Sequence, residues 1–202
     1  MSKRERVLLY AGLLVGGFLI FQVSRQYEAL AETYSRLRER LQWPHAGYSV
    51  PTFETVTIDG DLVTLGETAG KRQLVFFFST ECQYCRASLP GWREVIGEAR
   101  RAVPDIEILG VGADEDEPMA EYRSEHGLQF PVLTFPDPKL KRLYRAGSVP
   151  LIAVLDSTGR VLYSRLGALE ERAAVDSVLT AVRLAGVEEV EEEGSEAPGS
   201  GQ

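Results

Sequence analysis

Two cysteines separated by two residues are the feature that most constrains this chain of 202 residues. Cys82 and Cys85 are its only cysteines, and they follow the apolar run Leu74–Phe78 and precede a segment of helical character. This order predicts a dithiol where a strand ends and a helix begins. Backbone amides and the helix dipole there favour a thiolate, so Cys82 is predicted to be a nucleophile. Glu81 opposes that ionisation and Arg86 favours it, and the sequence leaves the balance open.

The spacing gives less support to two other uses of the cysteine pair. A zinc site needs further ligands, and the only histidines, His45 and His126, are far apart with no second paired spacing. A structural disulfide across two residues would restrain little of the unfolded chain. Reversible exchange without a metal or cofactor is therefore predicted, with Cys82 attacking and Cys85 resolving.

The net charge of -8 is unevenly distributed. Residues 187–202 contain six glutamates and no basic residue, together with Gly, Ser and Pro. This composition is typical of a disordered acidic tail. The remaining chain is nearly balanced in charge and has no basic patch, so binding to nucleic acid is not expected.

The N-terminus predicts export. Residues 1–6 form a basic cytoplasmic segment, and the uncharged run 7–23 is at the short end of what spans a bilayer. The basic flank should stay inside, which leaves the rest of a single-pass protein on the periplasmic side of the inner membrane. A cleaved signal peptide is the alternative, although its small-x-small site, Ala29-Leu30-Ala31, lies far beyond the apolar run. In both cases the cysteines lie where disulfides persist.

Residues 24–50 are predicted to form a helical stalk and linker. Its apolar side chains repeat in alternating steps of four and three, at Val23, Tyr27, Leu30, Tyr34, Leu37 and Leu41. Such a seam is compatible with a dimer contact through residues 23–41, with a simple stalk, or with a helix lying back on the domain.

Residues 51–186 are predicted to form one α/β domain. A hairpin over 53–65 precedes the buried strands 73–78 and 106–111, with a helix over 86–101 between them. Helices follow over 117–126 and 139–145, strands over 130–134, 150–155 and 161–166, and a closing helix over 170–185 that ends at Gly186. The alternation predicts a mixed central sheet flanked by helices.

Three segments carry a family resemblance. Residues 74–90 join a strand, the C-x-x-C pair and a proline five residues later, and residues 108–114 and 147–159 contain a second strand and a Gly-Ser-Val-Pro loop. With these segments, the chain from about Thr52 to Gly186 resembles the thioredoxin superfamily. Within it, the chain resembles the membrane-anchored TlpA/ResA-like thiol-disulfide oxidoreductases.

The resemblance implies a thioredoxin-like fold and assigns roles to site residues. Cys82 would be the nucleophile and Cys85 the resolving cysteine. Pro150, which would be expected to be trans if judged alone, would be cis beside the dithiol. Val149 would offer its backbone to an extended substrate, and Tyr84 would also contact it.

Three positions depart from relatives. Glu81 stands where many relatives have Trp, Phe76 where thioredoxins keep a buried carboxylate, and Ser88 where several ResA-like proteins have Glu. The usual proton-handling acids are therefore absent, and the sequence does not identify the group that serves Cys85.

The resemblance further implies a reductant of disulfides in other exported proteins, such as apocytochromes c or copper-site assembly factors. Its electrons would come from a membrane reductase of DsbD/CcdA type. Two alternatives stay open. One is a peroxiredoxin-like thiol peroxidase, and the other is a non-catalytic, membrane-anchored assembly factor.

Overall fold

The computed structural model describes residues 3–114 and 116–195. The chain divides into two compact units, Met1–Leu41 and Gln42–Gln202.

The first unit is essentially one helix, α1 (Lys3–Gln42), which runs without a break through the predicted anchor and stalk. The seam residues Val23, Tyr27, Leu30 and Tyr34 are exposed on it. Among the residues that the structure describes, no helix combines the length and apolar character needed to cross a bilayer. The anchor over 7–23 and the dimer contact over 23–41 therefore stay predictions.

The second unit contains two sheets and four helices among its described residues. Strands β1 (Phe53–Val56) and β2 (Leu62–Leu65) form an antiparallel pair, which confirms the predicted hairpin. The larger sheet has the order β5-β4-β3-β6-β7. Its strands are β3 (Gln73–Phe78), β4 (Glu107–Gly112), β5 (Val132–Thr134), β6 (Leu151–Leu155) and β7 (Val161–Leu166). The helices are α2 (Gln83–Ala102), α3 (Asp116–His126), α4 (Pro138–Leu143) and α5 (Arg172–Ser195).

The central strand β3 organises this sheet. It pairs in parallel with β4 and antiparallel with β6, so the predicted mixed sheet is confirmed. All six of its residues are buried, as expected for a strand covered on both faces. Because side chains alternate along a strand, Phe76 and Phe78 enter one core, and Val75 and Phe77 enter the other.

The first of these cores lies against α2, α3 and α5 and contains Cys85. Trp92 of α2 packs on Phe76 and Phe78 with ring centroids 5.1 and 5.7 Å apart, respectively. Gly110 of β4 makes room for this cluster, since a Cβ there would lie 2.6 Å from the Phe130 ring. These closely packed aromatic side chains therefore support the start of α2.

Several predicted boundaries differ from the structure. The helix over 86–101 begins earlier, at Gln83, and the strand predicted from residue 150 begins at Leu151. Residues 44–50, predicted as linker, belong to the second unit, where this segment pairs with the start of β7: Gly47 N donates a hydrogen bond to Val161 O at 2.7 Å. The hydrogen bond from Val161 N to Tyr48 O is 2.8 Å long.

The predicted end of the last helix at Gly186 is wrong. Helix α5 continues to Ser195, into the segment predicted to be a disordered tail, and residues 196–202 lie outside the described residues. A glycine inside a helix costs only about 1 kcal/mol relative to alanine, and the following glutamates are good helix formers. The residues around Gly186 therefore outweigh its tendency to end the helix.

Candidate active site

Cys82 is the N-cap of α2, directly after the turn that leaves β3. Its backbone is extended, and its sulfur accepts a hydrogen bond from the Cys85 amide at 3.3 Å. Sulfur thus takes the place that an oxygen usually fills at a helix start. The side chain is half-buried, so the sulfur is within reach of another molecule.

Cys85 lies in the first turn of the same helix and is fully buried in the aromatic core. Burial raises the pKa of the Cys85 thiol, and a hydrogen bond with the Cys82 side chain raises it further. A backbone hydrogen bond of Ser79 lowers that pKa, while the charges of Cys82 and Asp114 raise it. Cys85 is therefore held as a protonated thiol, and its sulfur is shielded from direct contact with a protein client.

The loop before β6 faces the exposed sulfur. The Val149–Pro150 peptide bond is cis, as the family resemblance implies. The Cys82 thiol points at the carbonyl oxygen of Val149 across 3.8 Å. Since proline has no N–H, the loop donates no backbone hydrogen bond at this position.

A groove of about 340 Å³ runs beside this loop. Tyr84, Val149 and Pro150, the three residues predicted to bind substrate, all line it, so the fold brings them together from two separate segments. The opposite wall comes from the end of β7 and the chain after it, including Leu166 and Glu170. Tyr84 is 56% exposed, which leaves its ring free for contact with a partner.

Ser88 replaces the glutamate of some relatives and has a structural part in this fold. Its hydroxyl donates to Tyr84 O at 2.6 Å and accepts from Leu169 N at 2.9 Å. It is completely buried. This serine therefore ties the first turn of α2 to the chain that forms the far wall of the groove.

Asp114 is a site residue that sequence reasoning missed. It follows β4 and hydrogen-bonds to Ser79 and Thr80 in the turn before Cys82. Its position near this turn could have been inferred from the topology, because β3 and β4 are parallel neighbours and the carboxyl ends of such strands meet at one edge of the sheet. In the sequence, residues 108–114 contribute only to the family resemblance.

The histidines that a zinc site would need lie elsewhere. His126 stacks edge-on against Tyr122, and His45 stacks against Trp43. Within residues 3–114 and 116–195, no group of three or more His, Cys, Asp and Glu side chains is arranged to hold a metal. Both cysteines are free thiols.

The two sulfurs can therefore act in succession. Cys82 can meet a disulfide in another molecule, and Cys85, one helical turn away, can displace what becomes attached to it. Such an arrangement on a thioredoxin-like fold defines a thiol-disulfide oxidoreductase.

Comparison with known proteins gives the family. The chain belongs to the Redoxin family, which it matches over residues 45–181. It is 26% identical to the thiol-disulfide oxidoreductase ResA of Bacillus thuringiensis over 131 residues, covering 64% of this chain and 73% of that protein. It is also 29% identical over 92 residues to a putative peroxiredoxin of Mycobacterium tuberculosis, covering 45% of this chain and 57% of that protein.

A solved structure agrees at the level of the fold. A putative thiol:disulfide interchange protein DsbE from Chlorobium tepidum matches with a TM-score of 0.60 and 20% identity, covering 70% of this chain and 97% of that one. Together these findings make the chain a TlpA/ResA-like member of the thioredoxin superfamily.

Proposed function

We propose that this protein is an exported, membrane-tethered reductant that transfers electrons from Cys82 and Cys85 to disulfides of other exported proteins. The observation that carries the proposal is the unequal burial of the two sulfurs beside an open groove. An extended client segment would lie along the Val149–Pro150 loop, with its side chain in the groove.

The exchange balances in two steps. The Cys82 thiolate attacks one sulfur of the client disulfide, which forms a mixed disulfide and releases the other client sulfur as a thiolate. Cys85 then loses its proton to solvent and attacks the Cys82 sulfur. This attack breaks the mixed disulfide and releases the second client sulfur as a thiolate. The client has then gained two electrons, and the protein keeps a Cys82–Cys85 disulfide.

Clients in cytochrome c maturation and a donor of DsbD/CcdA type are part of the proposal. They rest on the family resemblance, since the relatives include ResA oxidoreductases. Periplasmic placement and a tether over residues 7–23 rest on the basic residues before this uncharged run. Membrane fractionation of the full chain, with protease added to intact spheroplasts, tests both placement and tether.

Trapping tests the function itself. A full-length Cys85→Ala variant expressed in its native cell should accumulate mixed disulfides through Cys82, and mass spectrometry would identify the clients. Cys82→Ala in the same strain is the matched control and should trap none. Equal trapping by both variants, or none by either, contradicts the proposed function.

A thiol peroxidase is the second candidate, favoured by the peroxiredoxin-like relative. Reduced wild-type protein would then consume hydrogen peroxide rapidly. We expect reduction of a protein disulfide to be much faster than reduction of peroxide at equal concentrations. The reverse ranking in stopped-flow measurements would favour the peroxidase.

A double variant, Cys82→Ser with Cys85→Ser, that retains biological activity would instead favour the assembly factor.

A further inference from the structure

The groove beside the cis-proline loop contains one charged residue among the described residues that line it, Glu170. The other lining residues carry no charge, from Tyr84 and Val149 on one side to Leu166 and Ala168 on the other. A client segment in this groove would therefore meet mostly apolar surface and a single carboxylate.

The segment that carries Glu170 is held against α2 and against the cis-proline loop. Leu169 N donates to Ser88 Oγ at 2.9 Å, and Leu169 itself is buried. Gly91 permits this close approach, because a Cβ there would lie 2.5 Å from Leu169 O. On the other side, Gly167 N donates to the carbonyl oxygen of the cis-proline at 2.9 Å. The backbone around Glu170 is thus fixed relative to both walls of the groove before a client arrives.

The Glu170 carboxylate is available to a client. Its side chain is exposed, and within the part of the chain that the structure describes it forms no hydrogen bond or ion pair. Arg172, the nearest cation along the chain, instead pairs with Glu94 at 2.6 Å and with Asp176 at 2.7 Å. The negative charge in the groove is therefore not neutralised by this neighbour.

The start of α5 is the feature that could favour the opposite charge. The first amide groups of a helix attract anions, and α5 begins at Arg172, two residues after Glu170. The positive end of a helix is equivalent to about half an elementary charge. Glu170 and Glu171 place two full negative charges directly before these amides, so the carboxylates outweigh the helix dipole.

We propose that Glu170 selects clients in which a lysine or arginine lies close to the cysteine that joins Cys82. This selection rests on the proposed exchange by Cys82 and Cys85. An extended client segment along the Val149–Pro150 loop would place apolar side chains in the groove and its cation against Glu170. The carboxylate acts on recognition alone, and the bonds, electrons and protons of the exchange stay as described.

Symmetric peptide disulfides test the selection. Each peptide has one cysteine, and otherwise identical versions carry lysine or glutamate near it. One series places these residues next to the cysteine and a second series places them two positions away, because side chains alternate along an extended segment. Cys82 releases the first peptide thiolate and Cys85 the second, so two peptide thiols appear for each protein disulfide formed. Acid quenching and chromatography give the second-order rate constant of the reduced full-length protein with each peptide.

The measured quantity is the ratio of the rate constants for the lysine and glutamate peptides. Comparison of this ratio between variants cancels the intrinsic reactivity of each peptide. Glu170→Gln should lower the ratio roughly three- to tenfold in the series that faces the groove, since it removes one attraction and one repulsion at an exposed site. Glu170→Lys should lower it further. In about 1 M salt, where the screening length is about 3 Å, the wild-type and Glu170→Gln ratios should converge.

Glu171→Gln is the matched control. It changes the net charge equally at an adjacent exposed glutamate that does not line the groove, and it should alter the ratio by less than about twofold. An unchanged or increased ratio in Glu170→Gln in both series would overturn the inference, and so would an equal fall in the two glutamine variants. Failure of the wild-type protein to reduce any of the peptides is a different result, since it would contradict the dithiol exchange itself.

Discussion

The surroundings of Cys82 and Cys85 differ although the two residues share one helical turn. Cys82 caps the helix, is half-exposed and faces the backbone of the cis-proline loop. Cys85 is fully buried among aromatic side chains, and its pKa is raised by that burial. The comparison teaches that the packing around two identical thiols, one helical turn apart, gives them different exposure, which supports their proposed roles as attacking and resolving groups.

The largest expected effect tests the exposed side of this comparison. Cys82→Ser should lower reduction of a protein disulfide by about a thousandfold or more, because serine is not ionised near neutral pH and no other thiol reaches the surface. Steady-state reduction of a protein disulfide by the full chain measures this loss. Residual activity within tenfold of wild type would show that Cys85 can attack unaided, which contradicts the assigned roles.

The next effect tests the buried side. Cys85→Ser should abolish repeated turnover but keep the first attack, so that a stable adduct on Cys82 accumulates at about one equivalent. Intact-protein mass spectrometry detects the adduct. A variant that forms none would mean that Cys85 is needed for the first step as well.

Ser88→Ala tests the contact that joins the start of α2 to the far wall of the groove. The change leaves the buried Leu169 N–H without its acceptor, so the free energy of unfolding should fall by about 1–3 kcal/mol. Denaturant titration measures this value. Ser124→Ala, at an exposed position on α3, is the matched control and should have little effect on stability.

Alkaline pH should weaken the fold through Cys85. Because its pKa is raised from the ordinary 9.0, the native thiol keeps its proton while the unfolded thiol loses it as pH rises. The stabilisation is complete below pH 9.0 and decreases above it, by at most about 1.4 kcal/mol per pH unit. Unfolding titrations of the reduced wild type and of Cys85→Ala should therefore differ in pH dependence above this value. Parallel curves would contradict the assigned burial effect.

The smallest effect concerns the groove. Tyr84→Ala removes an exposed ring that lines it, so KM for a protein client should rise about fivefold, as for loss of roughly 1 kcal/mol, with kcat nearly unchanged. Tyr84→Phe, which keeps the ring, is the control. An unchanged KM in the alanine variant would place the client elsewhere.

Much of the secondary structure could be predicted from local sequence patterns. The bounds of β3 and β7 match the predicted strands, and the C-x-x-C pair begins a helix as expected. These elements were predictable because apolar runs and turn residues act over a few positions. The continuation of α5 past Gly186 was not predicted. A single glycine ends a helix only weakly when the residues after it favour the helix.

The site was predictable only where its residues are neighbours in sequence or where family resemblance applied. Cys82 and Cys85 followed from their spacing, and the cis bond at Pro150 from the resemblance alone. Ser88 could not be assigned, because its partner Leu169 lies far along the chain and meets it only when strands and helices pack. Asp114 could be placed only through the end of a strand parallel to β3, and its contacts with Ser79 and Thr80 required the fold.

The sequence by itself determined that this chain carries a dithiol at a strand-to-helix junction, because that conclusion depends on spacing, apolar pattern and helix-start chemistry. The tertiary structure decided which sulfur is exposed and which is buried. Those properties depend on what packs around each atom. The solvent exposure of each sulfur and its distance from charged groups are set by residues from β3, β4, α3 and the loop before β6. Only the complete fold brings these residues together.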